Sequence, residues 1–136
     1  MKQFPKTTTW ISAAAVWIIL CTCGCVKASP GPRFQAGGLI LELNGSGKIS
    51  MLKDAESGRD HLAEEIPSPL LSLRRNGELI PPESMEFDAG SGRIHLIYPG
   101  AMSSIIRVEE KKSHLTFELL SVSPVEGVEL AVWGPY

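Results

Sequence analysis

The stretch LLSLRRNGELI, residues 70–80, decides the fold. Asn76-Gly77 lies between two apolar runs, and a two-residue loop of these types is the strongest short-range signal for an antiparallel hairpin, because both residues tolerate positive φ. Closing the chain at that turn sets Arg75 opposite Glu78 and Leu73 opposite Ile80. Opposite charges and matched apolar side chains directly across from one another support this register. Pro81-Pro82 then end the second strand, since proline gives no donor to a ladder.

The same pattern extends in both directions. Upstream, Leu39, Leu41 and Leu43 fall on one face of a strand, and a three-residue loop at Gly45-Ser46-Gly47 is expected to return Ile49 and Met51 to that face. Downstream, MEFDAGSGRIHLIY turns over Ala89 to Gly92, setting Asp88 opposite Arg93, Phe87 opposite Ile94 and Met85 opposite Leu96. SIIRVEEKKSHLTFELL comes next. Centring its turn on Lys111-Lys112 pairs Val108 with Leu115, Ile106 with Phe117 and Glu109 with His114, although no glycine marks that turn. A last strand, Val128 to Trp133, succeeds a turn over Pro124 to Gly127.

Alternation at period two, broken every eight to twelve residues by turn formers, is the signature of an all-β sandwich or barrel. No stretch keeps a helical period. The expected architecture is all-β, an antiparallel meander of hairpins forming part of a β-sandwich. Its expected core is Leu41, Met51, Leu73, Phe87, Ile94, Leu96, Ile106, Val108, Leu115, Phe117, Leu119 and Leu130. The chain stops at Trp133-Gly134-Pro135-Tyr136, on a strand with no successor to pair it. The sandwich is therefore expected to be incomplete at its C-terminus.

The chain opens differently. Met1 to Lys6 carry two lysines, and Trp10 to Cys25 hold no charge, which is the pattern of a signal peptide. A bilayer span needs about 20 apolar residues, and this run is shorter and is interrupted by Ser12, Thr22 and Gly24. Val26-Lys27-Ala28 offers a leader-peptidase site, giving a mature start at Ser29. The alternative is a bacterial lipoprotein leader with Cys23 or Cys25 as the lipidated residue. The chain thus divides into a leader over 1–28, a linker over 29–38 and a β-sandwich over 39–136. It is expected to be secreted, periplasmic or anchored to the outer membrane, with membrane contact only through the leader or a lipid.

Charge and cysteine usage remove several function classes. All three cysteines, Cys21, Cys23 and Cys25, lie in the leader, so a cleaved chain has no thiol to hold zinc or close a disulfide. Cleavage also removes Lys2, Lys6 and Lys27, leaving 10 basic against 15 acidic residues, a net of −5. Such a chain has no basic footprint for nucleic acid. His61, His95 and His114 are the candidate bases, and alternation puts the last two on polar strand faces beside no recognisable nucleophile. Glu64-Glu65 and Glu109-Glu110 are adjacent residues and point to opposite faces, so neither pair can flank a glycosidic bond. Glu42, Glu86 and Glu118 alternate with core residues. Gly45-Ser46-Gly47-Lys48 lacks the glycine spacing and following helix of a phosphate loop. The sequence therefore assigns no catalytic residue, no metal ligand and no cofactor. Phe34, Trp133 and Tyr136 stand outside the expected core, and Trp133 and Tyr136 are the candidate carbohydrate-stacking aromatics.

One run of residues carries a resemblance. NGSGKISMLKDAESGRDHL, with Gly47, Lys48, Ile49, Leu52, Asp54, Ser57, Gly58 and Arg59, resembles the opening hairpin of β-supersandwich domains of the galactose-mutarotase-like class. These domains open secreted glycoside hydrolases and polysaccharide-degrading enzymes. Val132-Trp133-Gly134-Pro135 is similar to a segment of bacterial α-galactosidase-like proteins, ahead of their catalytic barrel. The resemblance spans residues 37–136 and implies a non-catalytic amino-terminal sandwich of a carbohydrate-active enzyme whose catalytic domain is absent from this chain. Two alternatives stand beside it. One is a stand-alone secreted or lipid-anchored sandwich that binds glycan or protein; the other is a minimal mutarotase-like catalyst with His95 or His114 as base.

Overall fold

The computed structural model describes residues 31–62 and 68–134. The leader with its cysteines, Glu64, Glu65 and Tyr136 lie outside the described residues. Among the described residues eleven strands run in the order β1 Arg33–Ala36, β2 Leu39–Leu43, β3 Lys48–Asp54, β4 Ser68–Pro69, β5 Leu71–Arg75, β6 Glu78–Ile80, β7 Ser84–Asp88, β8 Arg93–Tyr98, β9 Met102–Glu110, β10 Leu115–Ser123 and β11 Val128–Trp133. No helix occurs among the described residues. The strands form an antiparallel, sandwich-like all-β fold of three sheets, ordered β1-β2-β3-β4, β10-β9-β8-β7 and β11-β5-β6.

Cross-strand register builds the core. Phe87, Ile94, Ile106 and Leu119 stand opposite one another in a row across β7, β8, β9 and β10. Ile94 and Ile106 are fully buried, with Phe87 and Leu119 packed at the ends of the row. The β1–β4 sheet lays Phe34, Leu41, Leu43 and Ile49 against this core. The third sheet adds Leu71 and Leu73. Tyr98 ties that sheet to the others: its hydroxyl donates to the Leu71 carbonyl at 3.2 Å and lies 3.0 Å from Ser104 Oγ.

Two hairpins have the register expected of them. Asn76 and Gly77 take φ of 52° and 78°, and Arg75 faces Glu78 while Leu73 faces Ile80. The β7–β8 pair likewise sets Asp88 opposite Arg93, Phe87 opposite Ile94 and Met85 opposite Leu96.

Elsewhere the structure corrects the expectation, each time for a local backbone reason. Part of the expected linker over 29–38 is a strand: β1 pairs with β2 through a tight turn at Gly37-Gly38, and Phe34 is buried rather than exposed. Met51 leaves the core because Leu43 pairs with Ile49 while Glu42 pairs with Met51. Ser50 is thus an extra residue, and a bulge of this kind moves the residues beyond it to the opposite face. Leu52 takes the inward place opposite Leu41. The β9–β10 turn spans four residues: Leu115 pairs with Glu110, Phe117 with Val108 and Leu119 with Ile106. A two-residue turn would put positive φ on two lysines, a conformation costly for residues with a β-carbon. The slip by two residues keeps every inward side chain inward.

The end of the chain is paired as well. β11 lies beside β5, so the meander closes with a crossover and the last strand is a sheet edge rather than an unpaired strand. Val128 stands opposite Arg75 and Leu130 opposite Arg74, which makes Glu129 a bulge residue. Val128 packs on the core, whereas Leu130 turns outward and is 52% exposed instead of buried.

Two outcomes test this account. Phe34→Ala should cost about 3–5 kcal/mol in a denaturant titration, the range for emptying a phenylalanine site in a core. Tyr98→Phe should cost about 1–2 kcal/mol at neutral pH by stripping a partner from Leu71 and Ser104. Burial pushes the Tyr98 hydroxyl up to about 12, against the pull of its Ser104 hydrogen bond. The stability tied to the protonated phenol is therefore intact below pH about 10 and lost as pH rises through the folded value. Thermal melts across that window should lose this alkaline component in Tyr98→Phe.

Candidate functional site

The residues that carry the family resemblance are brought together around two turns. At the first, Asn44 Oδ1 accepts from the Ser46 amide at 3.0 Å, Ser46 Oγ at 2.8 Å and the Lys48 amide at 3.0 Å. Gly47 has φ of 72°, and a β-carbon there would come within 2.6 Å of Leu96 Cδ2. Gly45-Ser46-Gly47 is therefore the expected three-residue hairpin loop, and its glycine is required both by φ and by the packed leucine beneath it.

At the second turn, Asp54 Oδ1 accepts from the Glu56 amide at 3.0 Å, the Ser57 amide at 2.6 Å and Ser57 Oγ at 2.8 Å. The Asp54 amide donates to the Arg59 carbonyl, and Gly58 donates back to the Asp54 carbonyl. Asp60 repeats the device, accepting from the amides of Leu62 and Leu52. These carboxylates organise loops at the end of β3. The Ser57 amide and hydroxyl hold the Asp54 carboxyl below its ordinary range, and the Leu62 amide does the same for Asp60.

The candidate bases are dispersed. His95 stands between Glu86 and Ile105 on the exposed face of its sheet. His114 sits in the β9–β10 turn with Nδ1 3.2 Å from Ser113 Oγ. The expected cross-strand pair of Glu109 with His114 is not formed: Glu109 faces Thr116 and pairs with Lys111. That ammonium holds the Glu109 carboxyl below its ordinary range. His61 is exposed beyond β3. Glu118 is bound by Arg107 through two nitrogens, at 3.1 and 2.7 Å. Among the described residues no group of three or more His, Cys, Asp or Glu is placed to hold a metal ion.

The stacking candidate is Trp133, at the end of β11, 38% exposed and with its ring centroid 6.4 Å from Phe117. The other candidate, Tyr136, lies outside the described residues. A feature that sequence reasoning missed lies on the other face of the same sheet from Trp133. On the outer face of the β11-β5-β6 sheet, Leu79, Arg74 and Leu130 stand opposite one another. Leu79 and Leu130 are each more than half exposed, and Arg74 pairs with Glu129 at 3.3 Å. The signal for this row was the run Val128 to Trp133 itself, but the bulge at Glu129 decides which of its residues face out.

Comparison with known protein families, curated proteins and solved structures gives no match to this chain.

The acid range tests the loop assignment. Asp54 has its carboxyl lowered, so its stabilising effect is present above the ordinary aspartate range and is lost as pH falls through the lowered folded value. Carbon-detected NMR titration should find Asp54 titrating below a free aspartate. Ser57→Ala should move it part of the way back, because one of three donors is lost while the amides remain.

Proposed function

We propose that this chain is the non-catalytic amino-terminal β-sandwich portion of a secreted carbohydrate-active enzyme, a glycoside hydrolase of α-galactosidase-like type, and packs against a catalytic domain absent from it. The observation that carries the reading is the apolar outer face of the third sheet. Leu79 and Leu130, each more than half exposed, flank Arg74 at matched positions on three strands. Exposed apolar side chains rimmed by polar ones are a mark of a surface that meets another domain. The enzyme class is proposed on the order of the Gly47 to Arg59 motif and the closing Val132 to Pro135 segment.

A second reading rests on Trp133, whose part-exposed indole would serve as a platform for a sugar ring in a stand-alone glycan-binding module. Two measurements separate the readings. Reading the coding frame past Tyr136 should reveal an in-frame domain of alternating strands and helices. With that domain present, Leu130→Glu should weaken packing and lower its melting temperature, while the isolated chain hydrolyses no α-galactoside. A frame that ends at Tyr136, together with glycan binding lost in Trp133→Ala, would overturn the first reading in favour of the second.

A further inference from the structure

The outer face of the β1-β2-β3-β4 sheet has a hollow of about 290 Å³, with Arg33, Lys53, Ile40, Met51, Asp54 and Gly58 among its lining residues. Its composition is set by the register. Arg33 stands opposite Glu42, Glu42 opposite Met51, and Ile40 opposite Lys53, which puts these residues on one face. The bulge at Ser50 delivers Met51 to this outer face instead of the core. The hollow thus has an apolar floor of Ile40 and Met51, and Ile40 is 8% exposed although it points away from the core. Above that floor stand two cations. Among the described residues neither Arg33 nor Lys53 makes an ion pair; the pairs formed are Arg74 with Glu129, Arg107 with Glu118, and Lys111 with Glu109. The one carboxylate of the lining, Asp54, has Oδ1 filled by the Glu56 and Ser57 amides and Ser57 Oγ.

We propose that this hollow binds a carboxylated sugar unit, a uronate. The assignment rests on the carbohydrate reading above and adds to it a place and a ligand class. A guanidinium and an ammonium at one rim suit a carboxylate, through charge-assisted hydrogen bonds stronger than neutral ones. Met51, the more exposed of the two floor residues, suits the C–H face of a pyranose ring. Asp54 also borders the hollow, with Oδ1 taken up by its loop donors. A bare inorganic anion would make no use of the apolar floor, and a neutral sugar would bring no carboxylate to Arg33, which stands opposite Glu42 without an ion pair, or to Lys53, whose charge acts on Asp60.

The test uses the full chain, isotopically labelled, titrated with glucuronate and galacturonate monomers and short oligomers. Glucose, galactose, inorganic sulfate and inorganic phosphate are the comparison arms. Uronate should move the amides of Lys53, Ala55 and Gly58 in a saturable way. Arg33→Gln and Lys53→Gln should each weaken that binding by roughly tenfold, with unchanged melting temperature because both side chains are outside the core. Neutral sugars should leave these amides in place. Equal response to sulfate or phosphate would overturn the uronate assignment in favour of a general anion site, and no response to uronate would overturn it outright. Either failure leaves the coding-frame test of the domain's role untouched, so the two readings fail separately.

Discussion

Phe34 is the side chain on which the two larger sheets depend. Its ring meets Phe87 edge-on at 5.3 Å and Phe117 edge-on at 6.1 Å, and these partners belong to β7 and β10, the opposite edge strands of the facing sheet. One side chain from β1 therefore joins rings that reach in from both edges of the other sheet. Edge-to-face pairs contribute about 0.5–1.5 kcal/mol each beyond the area they bury, and here both act on one residue. The contact also dictates what surrounds it. β1 must lie flat over β9 and β10, and it is held there where the Gln35 amide donates to Glu110 Oε1 at 2.6 Å and the Gly37 amide donates to the Lys112 carbonyl at 3.2 Å. Gly37 takes φ of 56° to make that turn, and a side chain there would press on the Ser113 carbonyl. Phe117 carries the chain of rings on to Trp133 in the third sheet.

Tyr98 does for the third sheet what Phe34 does for the first. A buried hydroxyl is costly unless it is bonded, and Tyr98 satisfies that demand with the Leu71 carbonyl and Ser104, both on other strands. Its position explains why Ser104 occupies an inward place in a row otherwise filled by Met85, Leu96 and Val122. Among the described residues no buried side-chain nitrogen or oxygen lacks a partner. The junction of three sheets is thus fixed by direction as well as by burial, which a small sandwich with short strands needs in order to hold one register.

The parts of this fold legible in the sequence were those set by local chemistry. Asn76-Gly77 and the Ala89 to Gly92 loop name their own turns, and a named turn dictates the pairing of every residue in its hairpin. What was not legible is the bulge. Ser50, Leu120 and Glu129 each interrupt a ladder, and no residue type marks them, because a bulge is chosen by how the sheet must curve over its neighbour. Each one reverses the faces beyond it, which is why Met51 and Leu130 left the core. β1 escaped for a different reason: four residues are too few for periodicity to register, and Phe34 acquires its meaning from Phe87 and Phe117, far along the chain. The site shows the same division. Trp133 could be singled out as an unusual aromatic, whereas the row of Leu79, Arg74 and Leu130 exists only through pairing between distant strands.

The bulges bear on function through the surfaces they make. Without its bulge β3 would set Met51 inward and Leu52 outward, and without its bulge β11 would set Leu130 inward and Trp133 outward. In both places the extra residue exchanges one apolar side chain for another, and the one turned out stands on the same face as a charged residue, Lys53 or Arg74. Burying a large apolar side chain contributes about 1.5–3 kcal/mol, so an exchange that keeps an apolar residue inward preserves a core that a sandwich of this size depends on. The bulges thus decide which apolar side chain of each strand is buried and which is left on the outer face, a choice that the alternation of the sequence does not carry.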